Sequence, residues 1–221
     1  RIDKKKGRDA GVSVVLSNGR KVSADAVLIA QGRKGNVSGL GLEDVGVAVN
    51  DRGLITVDKN YRTNVPNIYA VGDVIGPPAL ASTSMEEGRI ACCHAFGLES
   101  QSMPTHFPYG IYTIPEISML GPTEEELAAR KVDFVVGRAH YRELARGQIV
   151  GDRWGLLKLL VDRKTLGILG VHIVGDNAAE LIHIGQAVMH FGGDVNYFIQ
   201  SVFNYPTLAE AYKVAAYDGL N

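Results

Sequence analysis

The chain has 221 residues, with 23 basic and 24 acidic side chains, so no broad field of one sign favours a nucleic acid or an anionic membrane. No apolar run reaches the ~18 residues of a membrane span, and no signal peptide is expected. The only cysteines, Cys92 and Cys93, are adjacent and poorly placed for an ordinary disulfide, which predicts a reducing, cytoplasmic setting.

The basic opening from Arg1 to Arg8 has no interleaved aromatics and reads as a solvated loop. The chain begins with Arg rather than Met, so a preceding segment is expected. Gly11 to Leu16 alternates as a strand, Asn18-Gly19 is a hairpin turn and Lys21 to Ala24 returns. Ala26 to Ala30 reads as a buried strand leading into Gln31-Gly32-Arg33-Lys34-Gly35-Asn36. Gly39-Leu40-Gly41 is a turn, because the next glycine comes only at Gly46 and no strand-to-helix context surrounds it. In Thr63-Asn64-Val65-Pro66-Asn67-Ile68-Tyr69-Ala70-Val71-Gly72-Asp73, Pro66 favours an extended approach and Ile68 to Val71 reads as a short buried strand. Gly72 permits close approach of the backbone, and Asp73 offers two acceptor oxygens. An open α/β sheet places a ligand at such a strand end; a buried strand followed by an Asp helix cap is the plainer alternative. Val74 to Ala79 is a loop. Leu80-Ala81-Ser82 opens a helix to about Gly97, with Ser84 and Glu87 as a possible capping box. Its expected packing face is Met85, Ile90, Ala91 and Phe96, and Cys92 and Cys93 in it read as buried and inert.

From about His106 the pattern becomes antiparallel. A strand region begins at Tyr109 to Glu116, and Thr123 with Glu126 forms a capping box over a short helix. Phe134 to Val136 is a strand. Gly155 to Val161 and Gly167 to Val174 form a hairpin around Asp162 to Thr165. Three helical stretches follow. The first, 177–191, repeats Leu181, Ile184, Val188 and Phe191, and the second lies near 194–202. The third starts at Pro206 and repeats Leu208, Ala211, Tyr212 and Ala215, with Gly219 past its end. His183 and His190 share a helix face at a spacing of seven with no acid cluster, so no metal site is expected.

The segment from Thr63 to Asp73 closely resembles the second flavin-binding motif of the pyridine nucleotide-disulfide oxidoreductase superfamily. Ala30, Gly32, Arg33 and Asn36 are similar to the stretch that closes that superfamily's NAD(P)-binding domain, with Gly35 in place of the usual Pro. Leu40 to Val47 and Gly53 to Asp58 look like the strands before the flavin motif. The resemblance implies an α/β and α+β fold. This is the end of a flavoprotein with two dinucleotide-binding domains, followed by an α+β dimerisation domain with an antiparallel sheet. It places the end of the NAD(P)-binding domain at 1–36, a central FAD-contacting segment at 37–104 and the dimerisation domain at 105–221. It implies FAD as cofactor and NAD(P) as substrate. Gly72, Asp73, Leu80, Ala81 and Ser82 would contact the cofactor, and Ala30 and Gly32 would lie on the NAD(P) side. Asp73 would hold the ribityl chain, while the helix start at Leu80 to Ser82 would face the flavin N1 and O2 side. A helix start is positive and stabilises an anion there. The resemblance further implies a homodimer through residues from about 106 to 221.

Disulfide reductases of this superfamily carry His-Pro-Thr-x-x-Glu where this chain has Tyr205-Pro206-Thr207-Leu208-Ala209-Glu210. The His is their acid/base for substrate thiols and the Glu orients it. A phenol, ordinarily ionising near ~10, is a poor base at neutral pH, which argues against lipoamide and glutathione reductases. Tyr205 and Glu210 therefore mark the dyad position without an assured catalytic role. The run from Asn204 to Tyr212, Leu80-Ala81-Ser82, and His183-Ile184-Gly185-Gln186 resemble the soluble transhydrogenase branch, which passes hydride between NADPH and NAD through FAD. A mercuric reductase-like member is the nearest rival, but the tail Tyr217-Asp218-Gly219-Leu220-Asn221 lacks the cysteine pair usual there. No Gly-x-Gly-x-x-Gly loop follows a strand, so the resemblance is to the C-terminal half of such an enzyme. The isolated chain is expected to be colourless and inactive, and a non-catalytic dimerisation module is the alternative reading.

Overall fold

A computed structural model describes residues 2–4 and 11–221. The chain divides into two compact units, Arg1–Gln101 and Ser102–Asn221.

The first unit opens with three antiparallel strands, β1 (Ile2–Lys4), β2 (Val12–Val15) and β3 (Lys21–Ala24), with β2 in the centre. The Asn18-Gly19 turn forms as expected: Leu16 N–H donates to the Arg20 carbonyl, and Gly19 takes a φ of 81°. The opening was expected to be loop, yet Ile2–Lys4 pairs in register with Val12–Val14; the rest of that basic segment lies outside the described residues. Ala26 to Ala30 is not the expected buried strand. It has no pairing partner among the described residues, and Leu28 is 91% exposed. An apolar run forms a strand only where a neighbour takes up its amides, so the run is legible but its state is not. The stretches from Leu40 to Val47 and Gly53 to Asp58 likewise form turns and an isolated bridge, Val49 to Ile55, rather than strands. Ile68 to Val71 holds a single bridge, Arg62 to Tyr69. These irregular segments pack a small core of Val47, Ile55 and Ala70, flanked by Leu42, Val65, Ile68 and Val74.

After a 3₁₀ turn at Gly72–Val74 comes α1 (Ala81–Ala95). Its buried face is Thr83, Glu87, Ile90 and Ala91. The expected face is thus half right: Met85 and Phe96 are 72% and 77% exposed. The expected capping box is absent. The Ser84 hydroxyl donates to the Leu80 carbonyl at 2.9 Å, and Glu87 is engaged elsewhere, as described below. Cys92 is exposed and Cys93 half-buried, so neither is the buried cysteine the sequence suggested; both lie on the turn of α1 that continues past its packed stripe.

The second unit is a five-stranded antiparallel sheet in the order β4 (Tyr109–Ile111), β5 (Ile117–Leu120), β8 (Ile168–Val174), β7 (Leu156–Asp162), β6 (Phe134–His140). Alternation along the central strands puts Leu157, Leu159, Val161, Val171 and Ile173 on one face, each at most 2% exposed. Each such side chain contributes about 1.5–3 kcal/mol by leaving water. On this face lie α4 (Ala178–His190), α5 (Asn196–Gln200) and α6 (Glu210–Leu220), which supply Ile182, Phe198, Ala211, Tyr212 and Ala215 to the same core. The short α2 (Glu124–Ala129) begins with the predicted box: Thr123 Oγ1 accepts from Glu126 N–H, and Glu126 Oε2 accepts from Thr123 N–H. A further helix, α3 (Ala145–Val150), was not anticipated.

Two helix readings need correction. The buried face of α4 is Ala178, Ile182, Gly185, Val188 and Met189, while Phe191 is 86% exposed. Gly185 makes this the closer face: a Cβ there would stand 2.7 Å from Val171 Cγ2 and 3.0 Å from the Tyr212 hydroxyl. That hydroxyl accepts from Gly185 N–H and donates to the Leu181 carbonyl at 2.7 Å, tying α6 to α4 where a larger side chain could not lie. The last helix starts at Glu210, not Pro206, after a turn in which Thr207 Oγ1 donates to the Asn204 carbonyl. Gly219 lies inside α6 rather than past its end, facing Gly137 of β6.

On the other sheet face, Glu124 Oε1 of α2 meets Lys158 Nζ at 2.6 Å and Arg138 Nη2 at 3.5 Å. His172 is the cross-strand neighbour of Lys158, and its Nε2 is buried without a hydrogen-bond partner. Burial first and Lys158 second hold its pKa below the ordinary 6.5, against the opposing pull of a hydrogen bond to the Pro122 carbonyl and then of Glu124 and Glu125. The unfolded chain then takes up a proton that the folded one resists. The contribution of His172 to stability should be intact above pH 6.5 and decline as pH falls through that value toward the lowered folded pKa. Urea melts across this window should show the decline in wild type and a smaller one in His172→Gln; equal slopes would refute the assignment.

Candidate functional site

The chain turns sharply at Gly72, whose φ of 77° is unfavourable for any residue with a Cβ. A Cβ there would also press on Ser84 of α1, 3.2 Å from its Oγ. The next residue, Asp73, thus stands beside the first turn of α1. Its Oδ2 is closed to solvent and accepts no aligned hydrogen bond, although Arg33 Nε lies 3.1 Å away as an ion pair. Leu80 is the N-cap residue of α1 and makes no side-chain cap. The Thr83 and Ser84 hydroxyls both turn back to the Leu80 carbonyl, leaving the backbone amides at the helix start unsatisfied, as helix starts are. Gly72, Asp73, Leu80, Ala81 and Ser82 are therefore gathered in one place in the first unit.

Two residues of this place were not legible in their roles. Glu87, 4% exposed, accepts the Gly72 N–H on Oε2 at 2.6 Å. The spacing 83, 87, 90, 91 on one helical face was the available signal, but an acid within a packed stripe reads as a surface residue. Arg33 belongs to the stretch matched on the NAD(P) side, yet nothing local joins it to a carboxylate forty positions on. Ala30 and Gly32 lie on the exposed, unpaired stretch just before Arg33. Around the site, burial first and then Glu87 and Glu86 push the Tyr61 phenol up. The Tyr69 hydroxyl lies 2.8 Å from His94 Nδ1 and pins the far end of α1 to the same segment.

The dyad position lies in the second unit. Tyr205 is 74% exposed, and Glu210 is half-buried as the first residue of α6. Between them, Pro206 to Ala209 line a shallow groove with Leu181, Ile184 and Glu180 of α4. Leu181 and Ile184, expected in the core, are half-buried along this groove.

Comparison with known proteins gives the class first: this is a flavoprotein-type oxidoreductase fold. Residues 1–88 match the pyridine nucleotide-disulphide oxidoreductase family and residues 107–216 match its dimerisation domain; the chain belongs to that family. It is 52% identical over 218 residues to the soluble pyridine nucleotide transhydrogenase of Pseudomonas aeruginosa (strain LESB58), covering 97% of this chain and 47% of that protein. The protein of the same name from Pseudomonas putida (strain W619) is 53% identical, with the same coverage. The chain thus spans about half the length of the curated relatives it matches. Among solved structures, the HOCl-induced flavoprotein disulfide reductase RclA from Escherichia coli superposes with a TM-score of 0.89 at 30% identity, covering 98% of this chain and 49% of that one. LpdA from Mycobacterium tuberculosis gives 0.85 at 31% identity, covering 98% and 47%. FAD as cofactor and NAD(P) as substrate go with this family. The geometry fits the former: a solvent-closed carboxylate oxygen, ion-paired to Arg33 but accepting no aligned hydrogen bond, stands beside an uncapped helix start, a combination that suits a hydroxyl-bearing chain ending in an electron-poor ring.

Proposed function

We propose that the chain is the C-terminal part of an FAD-dependent transhydrogenase that moves hydride between NADPH and NAD. The observation that carries the cofactor assignment is Asp73 Oδ2, closed to solvent and accepting no aligned hydrogen bond, with only the exposed Arg33 guanidinium 3.1 Å away as an ion pair. Asp73 would accept from a ribityl hydroxyl, and the amides of Leu80, Ala81 and Ser82 would donate toward the pyrimidine edge. Bound FAD supplies a two-electron carrier that takes hydride from one nicotinamide and returns it to another. The chain's own residues bind, orient and balance charge: the positive start of α1 opposes the charge that builds on the ring. The choice of transhydrogenase over disulfide reductase rests on Tyr205. Thiol chemistry needs an acid/base at that position, and hydride transfer between nicotinamides needs none there. The second unit, matched by a dimerisation domain, would form a two-fold dimer through residues from about 106 to 221. Its exposed Ile114, Trp154, Phe191 and Val202 are available for that contact. The free thiols of Cys92 and Cys93 suit the cytoplasm.

The full-length protein carrying this sequence, sedimenting as a dimer, should reduce a NAD analogue with NADPH and turn over oxidised glutathione or lipoamide negligibly. Tyr205→Phe should keep transhydrogenation within about tenfold, a barrier change under ~1.4 kcal/mol. Disulfide turnover as fast as hydride transfer would overturn the reading.

A further inference from the structure

Among the described residues, Glu87 is the one buried carboxylate, 4% exposed. Burying a carboxylate is costly unless its oxygens are engaged, and this one is engaged with a single backbone amide, that of Gly72, at 2.6 Å. That amide carries unusual weight. It belongs to the residue with a φ of 77° immediately before Asp73. Its other side is closed by Ser84, which stands 3.2 Å from where a Cβ would be. Gly72 is therefore held against α1 by its hydrogen bond to Glu87, while Ser84, less than one turn away, leaves little room for a Cβ on it. The same hydrogen bond fixes the distance between Asp73 and the start of α1. Without an acceptor at Glu87, the Gly72 peptide is free to rotate, because a glycine offers little resistance of its own.

We propose that Glu87 is the positioning residue for Asp73: by holding the Gly72 amide it sets where the Asp73 carboxylate lies relative to the helix start. This rests on the reading of Asp73 as a flavin contact. It predicts that Glu87 acts on the cofactor only through Asp73, which a merely structural role would not do.

The test is a double-mutant cycle on FAD affinity, measured by titrating the apoprotein of the full-length enzyme and following flavin fluorescence. Glu87→Met removes the acceptor at similar volume and should weaken FAD binding about tenfold or more. Glu87→Gln keeps a carbonyl acceptor and should stay within about threefold of wild type. In an Asp73→Ala background, Glu87→Met should change the affinity by less than about threefold, because its route to the cofactor is already lost. Should Glu87→Met fail to fold, Glu87→Asp retracts the carboxylate by one methylene and should show the same non-additivity at smaller size. Equal losses from the Glu87 substitution in both backgrounds overturn the proposal and leave the flavin reading standing. So does an unchanged affinity in Glu87→Met when Asp73→Ala is weakened. An unchanged affinity in Asp73→Ala itself overturns both.

Discussion

Gly137→Ala is expected to destabilise the second unit by about 3 kcal/mol or more, the upper range for overpacking. Gly137 sits in β6 where α6 crosses the sheet. A Cβ on it would overlap the Ala215 carbonyl oxygen and stand 3.0 Å from Gly219 N. Both obstacles are helix backbone, which cannot rotate aside as a side chain does. The reciprocal contact is equally close, since a Cβ on Gly219 would lie 3.2 Å from Gly137 Cα. The helix is also tethered there: Arg138 N–H donates to Asp218 Oδ2 at 2.8 Å. To admit one methyl group, α6 must withdraw from a sheet against which Ala211, Tyr212 and Ala215 are fully buried. Urea unfolding followed by far-UV circular dichroism measures the change. A loss below about 1 kcal/mol would mean that the helix yields without unpacking.

This contact also shows what the sequence withholds. Gly219 read naturally as a helix terminator, since glycine past a helix end is common. Its actual role depends on a second glycine eighty-two positions away. The α4 face was misjudged for a related reason. Apolar spacing singled out Leu181, Ile184, Val188 and Phe191, whereas closest approach is set by small residues, Ala178 and Gly185, that carry little hydrophobic signal. In α1 a buried acid and a buried threonine occupy the packed stripe, and both look like surface residues.

Local chemistry was read more faithfully. The Thr123–Glu126 box, the Asn18-Gly19 hairpin and the hairpin at Asp162 to Thr165 are complete within a few residues, and each formed. At Asp162, one carboxylate oxygen accepts from the amides of Lys164 and Thr165 and from the Thr165 hydroxyl. At the candidate site, the motif supplied Gly72, Asp73 and the helix start as candidates. The long-range partners, Arg33 and Glu87, came only with the fold.

Asp73→Ala should weaken FAD binding by roughly 1.5–3 kcal/mol, about ten- to a hundredfold, because a hydrogen bond to a charged group is lost. The substitution separates binding from folding. Its protein partner, Arg33, is 81% exposed at the side chain, so losing the ion pair returns a guanidinium to water at little cost. The Oδ2 atom accepts no hydrogen bond that the fold would miss. The clamp on the Gly72 amide is a separate contact, made by Glu87, and survives the change. The apoprotein of the full-length enzyme should therefore melt close to wild type while its flavin titration shifts. A shift in melting with unchanged flavin affinity would assign Asp73 to the fold. Unchanged melting and unchanged affinity would remove it from both roles, and with it the observation on which the cofactor site rests.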